Sequence, residues 1–598
     1  MVFWKRLLCS SMVLASSSAM AQVSQSDIAH LEPGVELSQG QITNLKPVSK
    51  ADLLNPDPAD WPMYRRNYQG WGFSPLDQIK PDNVKNLHLA WSRAMEPGWQ
   101  QSTPIVHNGV IFLGATKDVI QAINAKNGDL IWEYRRKHPK NISEYNILGR
   151  NKRSIALYGD KVYFGSWDNA IVALDAKTGK LVWETDRGDG PKGVSNSTGP
   201  IVVDGVVIAG TTCQYSGIEC YVTGHDAETG KELWRARFLP KKGQKGYDTW
   251  GGMPEEKRWG TSSWGAITYD PELNLVYYGS NGAMPISEAQ RKTPGASLYG
   301  TNTRFAIRPK TGEIVWSRQV LPRDNWEQDC VFEMMPLTTA VNPDAQAQGM
   351  MAVGKVKGQT RKVLTGVPCK TGLMWTLDAK TGEFLWVKST TKQNLVSSVD
   401  AKGDVKINEA LVISDPGKPV HQCPPPNGGK DWPPSAYNPK RHAMFVPLSN
   451  LCGDTTVFPD EPTPEAGYNA DFTFVIPEEK GDKLGRIDAI SVETGKTLWT
   501  YEQRAALYSP ILATAGDLLF TGGFDRYFRA IDQADGKVVW ETRLPSQVTG
   551  HAVSYAVDGK QYIAVPAGGS LLAGYMQSLQ SEVDGVTGSN ALFVFSLD

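Results

Sequence analysis

The chain has 598 residues, with 62 Lys+Arg against 63 Asp+Glu, a formal charge of −1, and 40% apolar residues. That balance leaves no electrostatic footprint for nucleic acid or an anionic membrane surface. Gly at 58, Pro at 38 and Trp at 19 exclude a disordered low-complexity chain and point to turn-rich, aromatic-rich order.

At the start of the chain, Lys5 and Arg6 precede an apolar run over 7–15 and then Ala19-Met20-Ala21. This is the layout of a secretory signal peptide over 1–21, cut before Gln22, and the run is too short to span a bilayer. Without Lys5 and Arg6 the count is 60 basic against 63 acidic side chains, a formal −3. No later stretch approaches about 18 consecutive apolar residues, so a periplasmic chain without a membrane span is expected. Residues 22–60 read as an N-terminal extended segment.

From residue 61 to 598 one pattern recurs: a short strand-like run, a turn with Gly, a charged residue, two apolar positions and Trp. It reads AINAKNGDLIW ending at Trp132, ALDAKTGKLVW at Trp183 and GHDAETGKELW at Trp234. Further copies end at Trp316, Trp386, Trp499 and Trp540, and a degenerate one, VKNLHLAW, at Trp91. Successive spacings are 41, 51, 51, 82, 70, 113 and 41 residues, so the long intervals carry insertions. Asp/Asn-x-x-x-Gly makes a tight turn between two short strands. A lone sheet of this kind cannot bury its apolar face, so neighbouring copies must stack. Radial stacking predicts an all-β, eight-bladed β-propeller, its Trp residues docking blade to blade and its strand at 591–598 closing the blade begun by 61–91. An open solenoid or two smaller domains is the competing arrangement.

Six cysteines follow the signal segment, an even number that favours disulfides in an oxidising compartment. Six thiols permit 15 connectivities; Cys213 with Cys220 is the best pair, because a seven-residue separation can close one loop, Cys423 with Cys452 is second, and Cys330 with Cys369 follows by elimination. No C-x-x-C-H occurs, so no covalent haem is encoded.

The repeated AxDAxTGKxxW motif behind a signal peptide resembles the pyrroloquinoline quinone (PQQ)-dependent alcohol dehydrogenases, which include methanol and ethanol dehydrogenases. The likeness runs from WPMYRRNYQGWGFSPL at Trp61 to QYIAVPAGG ending at Gly569. It implies a planar orthoquinone with three carboxylates, bound by cations, a flat aromatic and a hard ion. By that resemblance Arg153 pairs a PQQ carboxylate, a task suited to guanidinium geometry. Trp264, outside the docking repeat, is the stacking floor, and Lys370 is the basic residue near the quinone oxygens. Gln101 occupies the place of a family Glu that touches the cofactor, and Thr198 supplies a further hydrogen bond. Tyr508 stands where methanol and ethanol dehydrogenases have a Trp, and Asn438 is an additional polar contact. For the metal, calcium or a lanthanide, the resemblance implies oxygen ligands from Gln214, Asn281, Glu327 and Asp329. In LPRDNWEQDC, Glu327 falls in the catalytic Asp column and Asp329 two residues on, where lanthanide enzymes carry an extra Asp; Glu327 is the favoured base.

Two departures set the chain apart from methanol dehydrogenase. The adjacent Cys-Cys pair that many members carry is replaced by EYNILGRNKRS, and Tyr508 replaces a Trp. The resemblance implies hydride transfer from an alcohol to PQQ, giving an aldehyde or ketone, with metal Lewis acidity, a carboxylate base and a periplasmic cytochrome c as acceptor. A non-catalytic periplasmic scaffold sharing the repeat is the main alternative, and a glycosidase using paired carboxylates is the second.

Overall fold

The computed structural model describes residues 36–38, 40–142, 151–213, 217–355, 358–459, 468–580 and 588–598. The expected signal peptide and the proposed ligand Gln214 lie outside the described residues.

Each repeat folds as its turn chemistry dictates. In the copy ending at Trp183, Asp175 Oδ1 accepts the backbone N–H groups of Lys177 and Thr178 at 3.1 and 2.8 Å and the Thr178 hydroxyl at 2.8 Å. This Asx turn closes the hairpin on Gly179, whose φ of +75° is open to Gly at little cost. The same glycine lets the indole of the preceding copy lie flat on the turn, since a Cβ there would sit 2.6 Å from the Trp132 ring. The Trp132 indole N–H donates to the Ala176 carbonyl at 3.0 Å. Trp183 repeats the contact on Gly230 and Ala227 O, and Trp316 on Gly382 and Ala379 O.

Among the described residues, eight sheets with a four-stranded antiparallel core follow one another along the chain. Inner strands such as Val110–Ala115 are buried at every position, because a neighbouring sheet covers each face. Outer strands such as Leu181–Asp186 alternate partly buried and exposed residues, as an edge facing solvent should. Chain closure is visible in the sheet where His88–Ala94 pairs with Ala591–Ser596, itself paired with Lys560–Ala567. One expectation needs correction: the stretch from Trp61 does not run within that sheet. Trp61 bridges Val106 of the next sheet, and Phe73–Ser74 adds in parallel to Leu512–Thr514. The N-terminal segment is also not wholly extended, since Ser49 caps a short helix, Lys50–Leu54, with a reciprocal capping box.

The 113-residue interval between Trp386 and Trp499 holds an inserted sheet of Val420–Gln422, Gly453–Val457 and Ala470–Phe472. The Cys423–Cys452 disulfide joins two of its segments. Cys213–Cys220 and Cys330–Cys369 are also formed. No helix among the described residues is long and apolar enough to cross a membrane.

Candidate active site

Loops from successive sheets converge on a cavity of about 300 Å³, at the lower end of the ~300–1,000 Å³ range of small-molecule sites. The convergence has a regular origin. Gln101, Arg153, Ser197 and Trp264 each stand three or four residues ahead of the first strand of four consecutive sheets. Trp432 and Tyr508 hold the same position, four residues ahead of Ala436–Asn438 and Leu512–Thr514. Five equivalent sheets, entered through Gln101, Arg153, Ser197, Trp264 and Trp432, therefore each aim one side chain at a common cavity, while Tyr508 at the sixth packs behind its wall.

The acidic loop is wound around a buried anchor. Asp324 accepts the backbone N–H groups of Trp326 and Gln328, each at 2.9 Å, and the Trp326 indole donates to the Leu411 carbonyl at 2.7 Å. Between them Glu327 takes φ +61°, a left-handed conformation costly for a non-glycine residue and concentrated at functional sites. Lys370 Nζ contacts Glu327 Oε2 and lies 3.1 Å from Asp329 Oδ2. The Tyr468 hydroxyl donates to Glu327 Oε1 at 2.9 Å. Cys330 and Cys369 adjoin Asp329 and Lys370, and the Lys370 N–H donates to the Asp329 carbonyl at 3.0 Å, so the disulfide ties the two loops together. Burial, then the Asp329 charge, hold the Glu327 carboxyl well above the usual range against Lys370 and Tyr468. Burial opposes the charge on Lys370, but Asp329 and Glu327 hold it up. A single ammonium thus faces two buried carboxyl groups.

Arg153 lies between two indoles, with its guanidinium carbon 4.9 Å from the Trp264 ring centre and 5.3 Å from that of Trp432. It donates to Ser197 Oγ and the Trp264 carbonyl, both at 3.1 Å, and burial brings its pKa down to about 10, which leaves it charged at neutral pH. Asp431 also lines the cavity, its carboxyl raised by burial.

The donor set fits a planar polyanion with a hard cation. Gln101 Oε1, Asn151 Oδ1, Arg153 Nε and Trp264 Nε1 are buried at the cavity wall without a hydrogen-bond partner among the described residues. Such groups are costly unless a ligand satisfies them. Two cations and an indole face suit carboxylates on a flat ring, and the carboxylate pair offers the hard oxygens that calcium or a lanthanide takes.

The structure brings together Gln101, Arg153, Trp264, Glu327, Asp329 and Lys370. Other expected site residues stand elsewhere. Thr198 faces away, its hydroxyl donating to the Trp264 carbonyl, and Ser197 lines the cavity in its place. Asn438 gives its amide to Gln533 Oε1 at 2.7 Å. Tyr508 lies behind the wall, donating to the Asn427 carbonyl at 3.0 Å. Asn281 is buried without lining the cavity. Sequence reading missed Asn151, Ser197, Thr212, Asp431, Trp432 and Tyr468. Trp432 carried a usable signal, because like Trp264 it lies outside the repeat. Tyr468 carried none.

A propeller whose central loops gather cations, an indole floor and paired carboxylates in one buried cavity is built as a cofactor-dependent enzyme. The family model for the beta-propeller domain of PQQ glucose/ethanol/alcohol dehydrogenases matches residues 61–406 and 482–563. The quinohemoprotein alcohol dehydrogenase of Comamonas testosteroni is 31% identical over 533 residues, covering 85% of this chain and 72% of that protein. The lanthanide-dependent methanol dehydrogenase of Methylorubrum extorquens is 29% identical over 544 residues, covering 86% and 87%. A solved quinohemoprotein alcohol dehydrogenase of Pseudomonas putida HK5 superposes with a TM-score of 0.83 at 28% identity, covering 92% of this chain and 82% of that one. The chain belongs to the PQQ-dependent alcohol dehydrogenase family and is an oxidoreductase of that family, which decides against the scaffold and glycosidase alternatives.

Proposed function

We propose that this protein is a periplasmic quinoprotein that oxidises an alcohol to an aldehyde or ketone, with PQQ and a calcium or lanthanide ion, and passes electrons to a cytochrome c. The reading takes its eight sheets as eight blades docked by the repeat tryptophans. One observation carries it: Arg153, Trp264 and Lys370 share a buried cavity with Glu327 and Asp329. When bound, PQQ supplies the two-electron acceptor and the ion supplies Lewis acidity.

The chain's own residues supply the rest. Arg153 and Lys370 hold carboxylate and quinone oxygens, and the Trp264 face supports the ring. Glu327 and Asp329 ligate the ion. Glu327 also accepts the hydroxyl proton of the alcohol as general base. Both of its oxygens are engaged, by Tyr468 and Lys370, yet each carboxylate oxygen keeps a second lone pair for the substrate. Burial of Glu327, Asp329 and Lys370 excludes bulk water from the proton transfer.

The test is reconstitution of the purified protein with PQQ and either ion, followed by reduction of an artificial dye on an alcohol panel. Loss of dye reduction in Glu327→Ala with retention in Asp329→Ala supports the assigned base; the reverse moves that role to Asp329. A protein that retains no PQQ and oxidises nothing contradicts the reading.

A further inference from the structure

The cavity has two parts of different provenance. Most of its buried polar residues, from Gln101 to Lys370, fall within 61–406, the first stretch matched by the family model, while Asn427, Asp431 and Trp432 lie between the matched stretches. Its mouth is formed by Tyr468, Phe472, Phe474, Leu571, Leu572 and Tyr575, all outside the matched residues. Tyr468, Phe472 and Phe474 come from the insertion after Trp386, and the others from the segment that enters the helix Ala573–Leu579. Among the described residues this rim bears no charged side chain, and Leu571 and Tyr575 are 40% and 44% exposed.

Two ring contacts tie the rim into two pairs, Tyr468 on Phe472 at 5.4 Å and Phe474 on Tyr575 at 5.3 Å, both edge to face. Tyr468 also joins the rim to the acidic loop: its hydroxyl is on Glu327 while its ring meets Phe472. The base and the apolar rim are therefore one phenol ring apart. An alcohol whose carbinol sits at Glu327 places its further carbons against that rim, whereas a one-carbon alcohol cannot reach it.

We infer that the rim is a specificity device that selects alcohols with an extended apolar body, aliphatic or aromatic, over methanol. The inference rests on the alcohol-oxidising role proposed for the cavity. Apolar surface removed from water at the rim stabilises the bound long alcohol and the transition state alike, and therefore appears in kcat/KM.

The experiment compares methanol, ethanol, 1-hexanol and benzyl alcohol with the reconstituted holoenzyme and an artificial dye. The expected kcat/KM for 1-hexanol exceeds that for methanol by about tenfold or more, the scale of methylene discrimination in an apolar pocket. In Phe472→Ala that ratio falls severalfold. Tyr575→Ser, at an exposed position where folding is not at stake, lowers it in the same direction. Without dye, 1-hexanol should change the tryptophan fluorescence of the holoenzyme at about tenfold lower concentration than methanol. A wild-type ratio near one, or a ratio unmoved by both variants, overturns the inference while leaving the alcohol dehydrogenase reading intact. Oxidation of none of the four alcohols overturns both.

Discussion

Arg153 and Lys370 are buried cations held among indoles and carboxylates, whereas Phe472, Phe474 and Tyr575 form a half-open apolar rim of the same cavity. In the inner set Arg153 stands ahead of the first strand of its sheet and Lys370 in the loop between Gln359–Gly366 and Leu373–Asp378, both within the repeating scaffold, whereas the outer set comes from an insertion and the segment around the helix Ala573–Leu579. The contrast separates two tasks. Holding a charged planar group needs fixed positions, and a ring of equivalent sheets supplies them. Selecting the organic body of a substrate needs surface that can change without disturbing those positions, and insertions at the mouth supply it.

Breaking the inner set should have the largest effects. Glu327→Gln keeps the shape of the loop and removes the base, so kcat for any alcohol should fall about 10²–10⁴-fold while PQQ still binds. Dye reduction and absorbance titration read the two quantities separately. Arg153→Leu removes a charge-assisted contact worth about 1.5–3 kcal/mol, so PQQ affinity should fall about 10–100-fold by equilibrium titration. Where the sets meet, Tyr468→Phe removes one hydrogen bond to Glu327 and should lower kcat about tenfold with little change in PQQ affinity.

The scaffold beneath both sets responds in stability. Gly382→Ala meets φ +72° and places its new methyl carbon 2.7 Å from the Trp316 ring. Denaturant unfolding should show a loss of about 1–3 kcal/mol. Gly559→Ala, at φ +78° with nothing within 4 Å, should show only the smaller backbone cost of about 1–2 kcal/mol.

The same division decides what could be read from the chain beforehand. The turn chemistry of Asp175 to Gly179 is local, and its recurrence announces stacked sheets and their docking tryptophans before any contact is seen. Arg153, Trp264 and Lys370 were legible because they interrupt or flank that recurrence. Thr198 was misplaced by one residue because neighbouring strand-entry positions point oppositely, and a motif does not say which of them faces the centre. Asn438 and Tyr508 were assigned by position in a motif, yet their polar groups are satisfied within the wall. The rim was not legible, since an insertion without a period carries no signal for which of its aromatics returns to the cavity.

The most direct test of the account is equilibrium titration of the purified protein with PQQ in the presence of calcium or lanthanum, followed by absorbance, with Trp264→Ala and Arg153→Leu measured alongside. Saturable binding that both substitutions weaken, with alcohol-dependent dye reduction appearing as the sites fill, is the expected result. Binding that is absent, or indifferent to both residues, would contradict it.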